Sequence, residues 1–239
     1  MTSTVSVTDQ RLARIHQTGY WRVVVHPTEF LSRRIPSVDD CWRIVTEAQF
    51  NLRPIAYPHV DEQERQFGED WVQSGGDWGS EIELWRFYQS GQFVQHLSIP
   101  EDRIAPWDET DNQKTGEIVK DARTLNIYDA LFTITEILLF ARGLAYRGVL
   151  QPSASLRIEL HRTKGRRLIA PRSPWFRGDY VSEENVICWR NLTPSITILT
   201  TAPELALDAT LHVFKQFGWH KPSRGMIEES QRRLLERRL

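Results

Sequence analysis

The chain has 239 residues, with 30 Lys/Arg against 31 Asp/Glu and a formal net charge of −1. At 40% hydrophobic and 26% charged it has enough apolar material for a sizeable core, which excludes a disordered chain. The balanced charge excludes a surface that is basic all over, and two cysteines, Cys41 and Cys188, exclude a disulfide framework and point to a reduced, cytoplasmic setting.

Residues 8–17 (TDQRLARIHQ) read as a short polar helix, and the stretch before them lacks the basic and apolar regions of a signal peptide. Tyr20–His26 (YWRVVVH) is rich in β-branched and aromatic residues and ends at Pro27, which predicts a strand. Ser37 caps a helix carrying Cys41, Ile44, Val45 and Ala48 at helical spacing, with Asp39 and Asp40 suiting its dipole. Residues 53–57 are a candidate strand stopped by Pro58, and residues 61–80 read as an acidic loop with two tryptophans.

Leu84–Gln89 and Gln92–Leu97 form a hairpin around Ser90-Gly91. Read as a two-residue type I′ turn, it pairs Tyr88 with Phe93, Phe87 with Val94, Arg86 with Gln95 and Trp85 with His96. Leu84, Arg86, Tyr88, Phe93, Gln95 and Leu97 then share one side, and Trp85, Phe87, Val94 and His96 the other.

Residues 100–122 form a long polar loop, and 124–147 the main helix, apolar almost all round and therefore packed on several sides. Asp129, Glu136 and Arg142 make it a core helix and not a membrane span. A buried Glu136 needs a cation, and Arg86 and Arg22 are the candidates. Ser155–Arg162 alternates as a half-buried strand, Lys164-Gly165 turns the chain, and Arg167–Ala170 returns as its hairpin partner. After a loop over 171–182, Asn185–Asn191 and Ser195–Thr200 read as two further strands. Pro203 opens a helix ending near Gly218, and residues 223–239 form a basic amphipathic helix that caps the domain. The expected architecture is α+β: one domain over 1–239, with a mostly antiparallel sheet packed on the long buried helix and a peripheral helix at 223–239.

Charge is unevenly placed. Residues 61–121 carry fifteen Asp/Glu against five Lys/Arg, and residues 142–190 carry ten Lys/Arg against four Asp/Glu. The densest basic stretch holds Arg157, Arg162, Lys164, Arg166, Arg167, Arg172 and Arg177, with Trp175 and Phe176 among them. Cations that grip phosphates beside rings that stack on bases are the parts of a nucleic-acid contact. A second constellation, Arg86, Gln95 and His96, is a candidate small-molecule pocket between sheet and helix. For catalysis, Glu159, His161 and Glu81 are the candidates for a metal-dependent nuclease or other hydrolase, although the hairpin lacks an Asp/Glu-x-Lys signature. His26, His59, His96 and His161 lie on or beside predicted strands, but no histidine pair has the i, i+4 spacing of a helical metal site. No phosphate loop, GxSxG or HExxH motif is present, and no cofactor or metal is implied.

The stretches YWRVVVHPTEF (from Tyr20), WRFYQSGQF (from Trp85), RIEL (from Arg157), GRRL (from Gly165) and FGW (from Phe217) occur in this order over roughly residues 11–220. In this the chain resembles a bacterial module found at the C-terminal end of proteins that begin with a Schlafen-related, Alba-type domain associated with nucleic-acid binding. The resemblance transfers no catalytic residues, and the Alba-type portion itself has no counterpart here. What it implies is a context: a non-enzymatic accessory or adaptor subunit of a prokaryotic nucleic-acid-associated system, of the kind that serves antiviral defence. Its expected partners are proteins, with nucleic acid as a second class and no membrane. A nuclease or hydrolase and a small-molecule sensor are the alternatives.

Overall fold

Tyr20–Pro27 forms strand β1, with Trp21, Val23 and Val25 buried on one side and Tyr20, Arg22, Val24 and His26 half-buried on the other. That alternation sets the two faces of the whole sheet. The computed structural model describes residues 7–103, 123–171, 173 and 176–237. Within them the strands β2 (Gln66–Phe67), β3 (Trp71–Asp77), β4 (Ile82–Tyr88), β5 (Phe93–Ser98), β7 (Ser153–His161) and β9 (Val186–Pro194) join β1 in a seven-stranded sheet of order β2-β3-β4-β5-β1-β7-β9. Every neighbouring pair is antiparallel. Two short strands, β6 (Thr124–Asn126) and β8 (Arg167–Ile169), pair in parallel apart from it.

One face of the sheet is the core. Trp21, Val23, Val25, Trp85, Phe87, Phe93, Leu97, Leu156, Ile158 and Leu160 are buried there. Helices α2 (Val38–Ala48), α3 (Ile127–Tyr146) and α4 (Ser195–Gln216) cover it, and α5 (Arg224–Leu235) buries Ile227 and Leu234 against α3 and α4. The protein is thus α+β, an antiparallel sheet packed against helices. Phe140 of α3 lies 4.6 Å from Phe93, ring centre to ring centre, at the middle of this layer. Ser37 caps α2 by accepting from Asp40 N at 3.0 Å, and Asn126 caps α3 by accepting from Tyr128 N at 3.0 Å. Helix α1 (Val7–Gln17) lies on the opposite face, where Ile15 packs on Ile82 and Leu84. No helix among the described residues is long and apolar enough to cross a membrane.

Several expectations are corrected. The hairpin turn has three loop residues instead of two. Gly91 N donates to Tyr88 O and Tyr88 N donates to Gln92 O, both at 2.9 Å, and Gly91 takes up φ +84°. This is the three-residue loop with a glycine bulge. Gln89 is held in the loop because its side chain donates to Ile35 O and Pro36 O and its N–H to Asp70 O. Phe87 therefore faces Phe93, Arg86 faces Val94, Trp85 faces Gln95 and Leu84 faces His96. A slip of one residue exchanges faces. Gln95 joins Trp85 and Phe87 in the core, while Arg86 and His96 stand on the far side.

The 61–80 segment contains β2 and β3, not only loop. Its polar Gln73-Ser74-Gly75-Gly76 run hides the strand pattern, yet a Cβ at Gly75 would lie 2.2 Å from Glu83 O, so glycine permits the close pairing with β4. Residues 53–57 are not a strand; a single bridge joins Phe50 and Tyr57. Ser195–Thr200 begins α4 despite its β-branched residues, because burial of Ile198 and Ala202 overrides propensity. Helix α4 kinks at Thr201 (φ −131°, ψ 26°), which leaves Pro203 in the first turn of its second half. Arg167–Ile169 does not return along β7, whose neighbours are β1 and β9. The basic segment is an excursion between β7 and β9, not a hairpin. Of the predicted 100–122 loop, residues 104–122 lie outside the described residues.

Candidate functional site

The face of the sheet that, among the described residues, is covered only at one corner by α1 can be read rank by rank from the register. One rank runs Arg86, Val94, Val24, Arg157, Arg190 from β4 to β9. The next runs Leu84, His96, Arg22, Glu159, Cys188, and the third Ile82, Ser98, Tyr20, His161, Val186. Trp71 and Tyr88 are neighbours at the β3–β4 end. Helix α1 covers the Ile82 and Leu84 corner and leaves Arg22, Val24, His26, Arg157 and Arg190 at least partly exposed. In the ranks from β4 to β9 the carboxylate is Glu159. The Arg86 guanidinium lies 4.0 Å over the Trp71 ring and donates to Gln73 Oε1 at 2.7 and 3.0 Å, which presents cation and ring together.

Glu159 organises the centre. Its carboxylate accepts from Arg22 Nη1 at 3.0 Å and is hydrogen-bonded to His161 Nε2 at 3.1 Å, and Arg157 pairs with its other oxygen. Burial pushes against ionisation, but the bonds from Arg22 and His161 and the charges of Arg157 and Arg22 prevail, holding the carboxyl below its usual range. The Tyr20 ring stacks on His161, with centroids 4.5 Å apart and planes within 6°. On its other side Tyr20 meets His16 at 4.5 Å, and His16 Nε2 lies 3.0 Å from His96 Nδ1. Burial lowers the pKa of His16, reinforced by His161, Arg162 and Arg22. Burial, with the charges of His16, Arg22 and His161, takes His96 down to about 4. This hydrogen-bonded imidazole pair is uncharged at neutral pH.

Arg162 closes β7 in the left-handed region at φ 59°, which is uncommon for a residue with a Cβ. Its exposed guanidinium is close enough to act on His16 and on Tyr20. The corner therefore gathers His16, Tyr20, Arg22, His96, Glu159, His161 and Arg162.

The basic stretch predicted to bind nucleic acid is divided by the fold. Arg157 stands on the sheet face, Arg162 at its rim, and Lys164 and Arg177 are exposed on the excursion beyond. Arg167 is paired with Asp179. Arg166 is a correction: it is fully buried, bonded to Asp102 at 2.6 and 2.8 Å, and has no surface to offer a phosphate. Arg172 and Trp175 lie outside the described residues.

The predicted pocket of Arg86, Gln95 and His96 is also corrected. Arg86 and His96 share the far face of the sheet, whereas Gln95 is buried on the core side with Tyr57 and Glu83, so the three do not line one pocket. The catalytic set of Glu159, His161 and Glu81 divides likewise. Glu81 lines a cavity of about 200 Å³ on the core side with Arg53, Tyr57, Trp78, Glu83 and Glu136. Glu136 has neither Arg86 nor Arg22 as partner, since both lie on the other face; Arg53 Nε donates to its two oxygens at 3.1 and 3.0 Å. Burial raises Glu83 to about 8 against the bonds from Gln95 and His59 N. Of the four histidines on or beside predicted strands, His96 and His161 share the corner. His59 lies against Trp78, and His26 is six residues along β1 from Tyr20, about 20 Å away. Among the described residues no group of three or more His, Cys, Asp or Glu is placed to hold a metal ion.

No family model, curated protein or solved structure matches the chain. His16, Tyr20, Arg22 and Arg190 carry no motif that marks them in the sequence. The alternation in Tyr20–His26 already places Tyr20 and Arg22 on one face. Only the fold shows that this face is the uncovered one.

Proposed function

We propose that the chain is an accessory module that binds single-stranded nucleic acid on the uncovered face of its sheet, beside protein partners of a prokaryotic nucleic-acid-handling or defence system. The observation that carries the reading is the composition of that face: Arg22, Arg86, Arg157 and Arg190 beside the rings of Trp71 and Tyr88, against the carboxylates Glu159, in the ranks from β4 to β9, and Asp77, which Arg14 pairs at the end of β3. Guanidinium groups supply phosphate contacts and exposed ring faces accept bases without regard to sequence. An open sheet suits an unpaired strand whose bases can be splayed over it, and a duplex hides those bases. The resemblance to a module that accompanies Alba-type domains supplies the cellular context. A nuclease reading has less support, because Glu81 and Glu159 stand on opposite sides of the sheet.

The test is a binding titration of labelled strands of about 20 nucleotides, single and double, across a salt series. Single strands are expected to bind more tightly. Replacing Arg157 and Arg190 by Gln is expected to make the slope of log K against log salt shallower by about 0.7 for each phosphate no longer neutralised. Equal binding and equal slopes for variant and parent would overturn the reading.

A further inference from the structure

We propose that the corner formed by His16, His96, Arg22, His161 and Arg162 is a proton-linked phosphate site, so that a bound strand is held more tightly as the pH falls below neutral. The inference rests on the reading of the open face as a nucleic-acid surface and adds to it a defined anion site with its own regulation.

The geometry is specific. His16 comes from the last turn of α1 and His96 from β5, and their ring nitrogens meet at 3.0 Å. When the pair is neutral, one N–H fills the gap between the rings. The donor ring then has a bare outer nitrogen, and only the acceptor ring has an outer N–H. One added proton makes both outer nitrogens donors and gives the pair a positive charge. The pair changes from a one-donor neutral group to a two-donor cation, which is the form that binds a phosphate oxygen.

The charged and titratable groups facing the pair are Tyr20 and Arg22 from β1, Glu159 and His161 from β7, and Arg162 after it, with Arg157 behind Glu159. Glu159 is occupied by Arg22, Arg157 and His161. The surroundings therefore remain positive even while the imidazoles are neutral, and they repel the extra proton. A phosphodiester anion seated among Arg22, Arg162 and the imidazoles cancels that repulsion and allows the pair to protonate. Binding and proton uptake are then linked, each favouring the other. Burial is the larger reason the half-buried pair resists charge, and an arriving counter-charge offsets it as well. The left-handed backbone at Arg162 is consistent with a residue held at the rim for such a contact.

The experiment uses the full chain and a single DNA strand with a 5′-hydroxyl end, so that its phosphodiesters do not titrate in the range studied. Affinity is measured between about pH 8.5 and 5.5 at fixed ionic strength. The parent protein is expected to bind more tightly as the pH falls, approaching tenfold per pH unit at the steepest point for one proton taken up. His96→Gln keeps a hydrogen-bonding side chain beside His16 and is expected to lose most of the pH response, read as the ratio of its own affinities at about pH 5.5 and 8.5. Calorimetry of the parent protein in two buffers of different ionisation enthalpy counts the protons directly and does not depend on a variant folding; net uptake is expected. Strand binding without pH dependence or proton uptake would overturn this inference and leave the binding reading in place. A full pH response in His96→Gln would also overturn it. Absence of strand binding at every pH would remove both.

Discussion

Arg166 is completely buried, and its guanidinium grips the carboxylate of Asp102 through two nitrogens at 2.6 and 2.8 Å. The same carboxylate accepts from Gly19 N at 2.7 Å, just before β1. One ion pair thus joins the start of the central strand, the turn at Pro100–Asp102 and the excursion after β7. A Cβ at Gly19 would come within 2.3 Å of Arg166 Nη2, so a side chain there would displace the guanidinium from this pair. Arg166→Ala leaves Asp102 without its partner and is expected to cost about 3–5 kcal/mol. Chemical denaturation measures the loss. A change within error of zero would contradict the role given to the pair, and any loss of strand binding in an Arg166 variant is expected to track unfolding.

Glu83 predicts how stability varies with pH. Its carboxyl lies near 8 when folded against 4.5 ordinarily, chiefly because it is buried. In the interval between those values the folded protein holds a proton that the unfolded chain has released. Its contribution to stability is complete below 4.5 and is lost as the pH rises through 8. His16 and His96 act in the opposite sense, but below their ordinary value of 6.5. Melting temperatures between about pH 7 and 8.5 therefore leave the imidazoles out; burial also raises Glu101, to about 7, and it acts in the same sense at the lower end of that range, so the comparison with a Glu83 variant separates the two. The parent protein is expected to lose stability over that range. Glu83→Gln is expected to show a shallower fall and to gain on the parent at the alkaline end. An unchanged slope would show that Glu83 is ionised when folded.

The excursion and the sheet face make different predictions for binding. Lys164 and Arg177 are exposed and lie on the excursion, whereas Arg157 and Arg190 face each other across β7 and β9 on the open face. Replacing Lys164 and Arg177 together by Gln is expected to change strand affinity less than replacing Arg157 and Arg190. Competition titrations at one salt concentration rank the two double variants. The reverse ranking would move the binding surface to the arginine-dense segment after β7.

Much of the framework could be read directly from local pattern. The alternation in Tyr20–Pro27 and Ser153–His161, the Ser37 cap and the apolar length of α3 each report a physical requirement confined to a few neighbouring residues. The hairpin register was not legible, because Gln89 is drawn into the turn by Ile35, Pro36 and Asp70, which are distant in sequence. Ser195–Thr200 has the composition of a strand and becomes helical only through burial of Ile198 and Ala202. For the site the limit is different. Arginine density marked residues 157–177 as a surface, but one member of that run, Arg166, satisfies a buried carboxylate while Arg157 projects from a strand. The residue type reports a charge, and only the fold shows whether it faces a partner inside or outside the molecule.

The central claim, that the uncovered sheet face is where nucleic acid lies, is tested most directly by ultraviolet cross-linking of a single strand to the intact protein, with the modified peptides mapped by mass spectrometry. Adducts are expected in peptides carrying Trp71 and Tyr88, whose rings stand on that face. Adducts confined to the excursion between β7 and β9, or to α4 and α5, would contradict it.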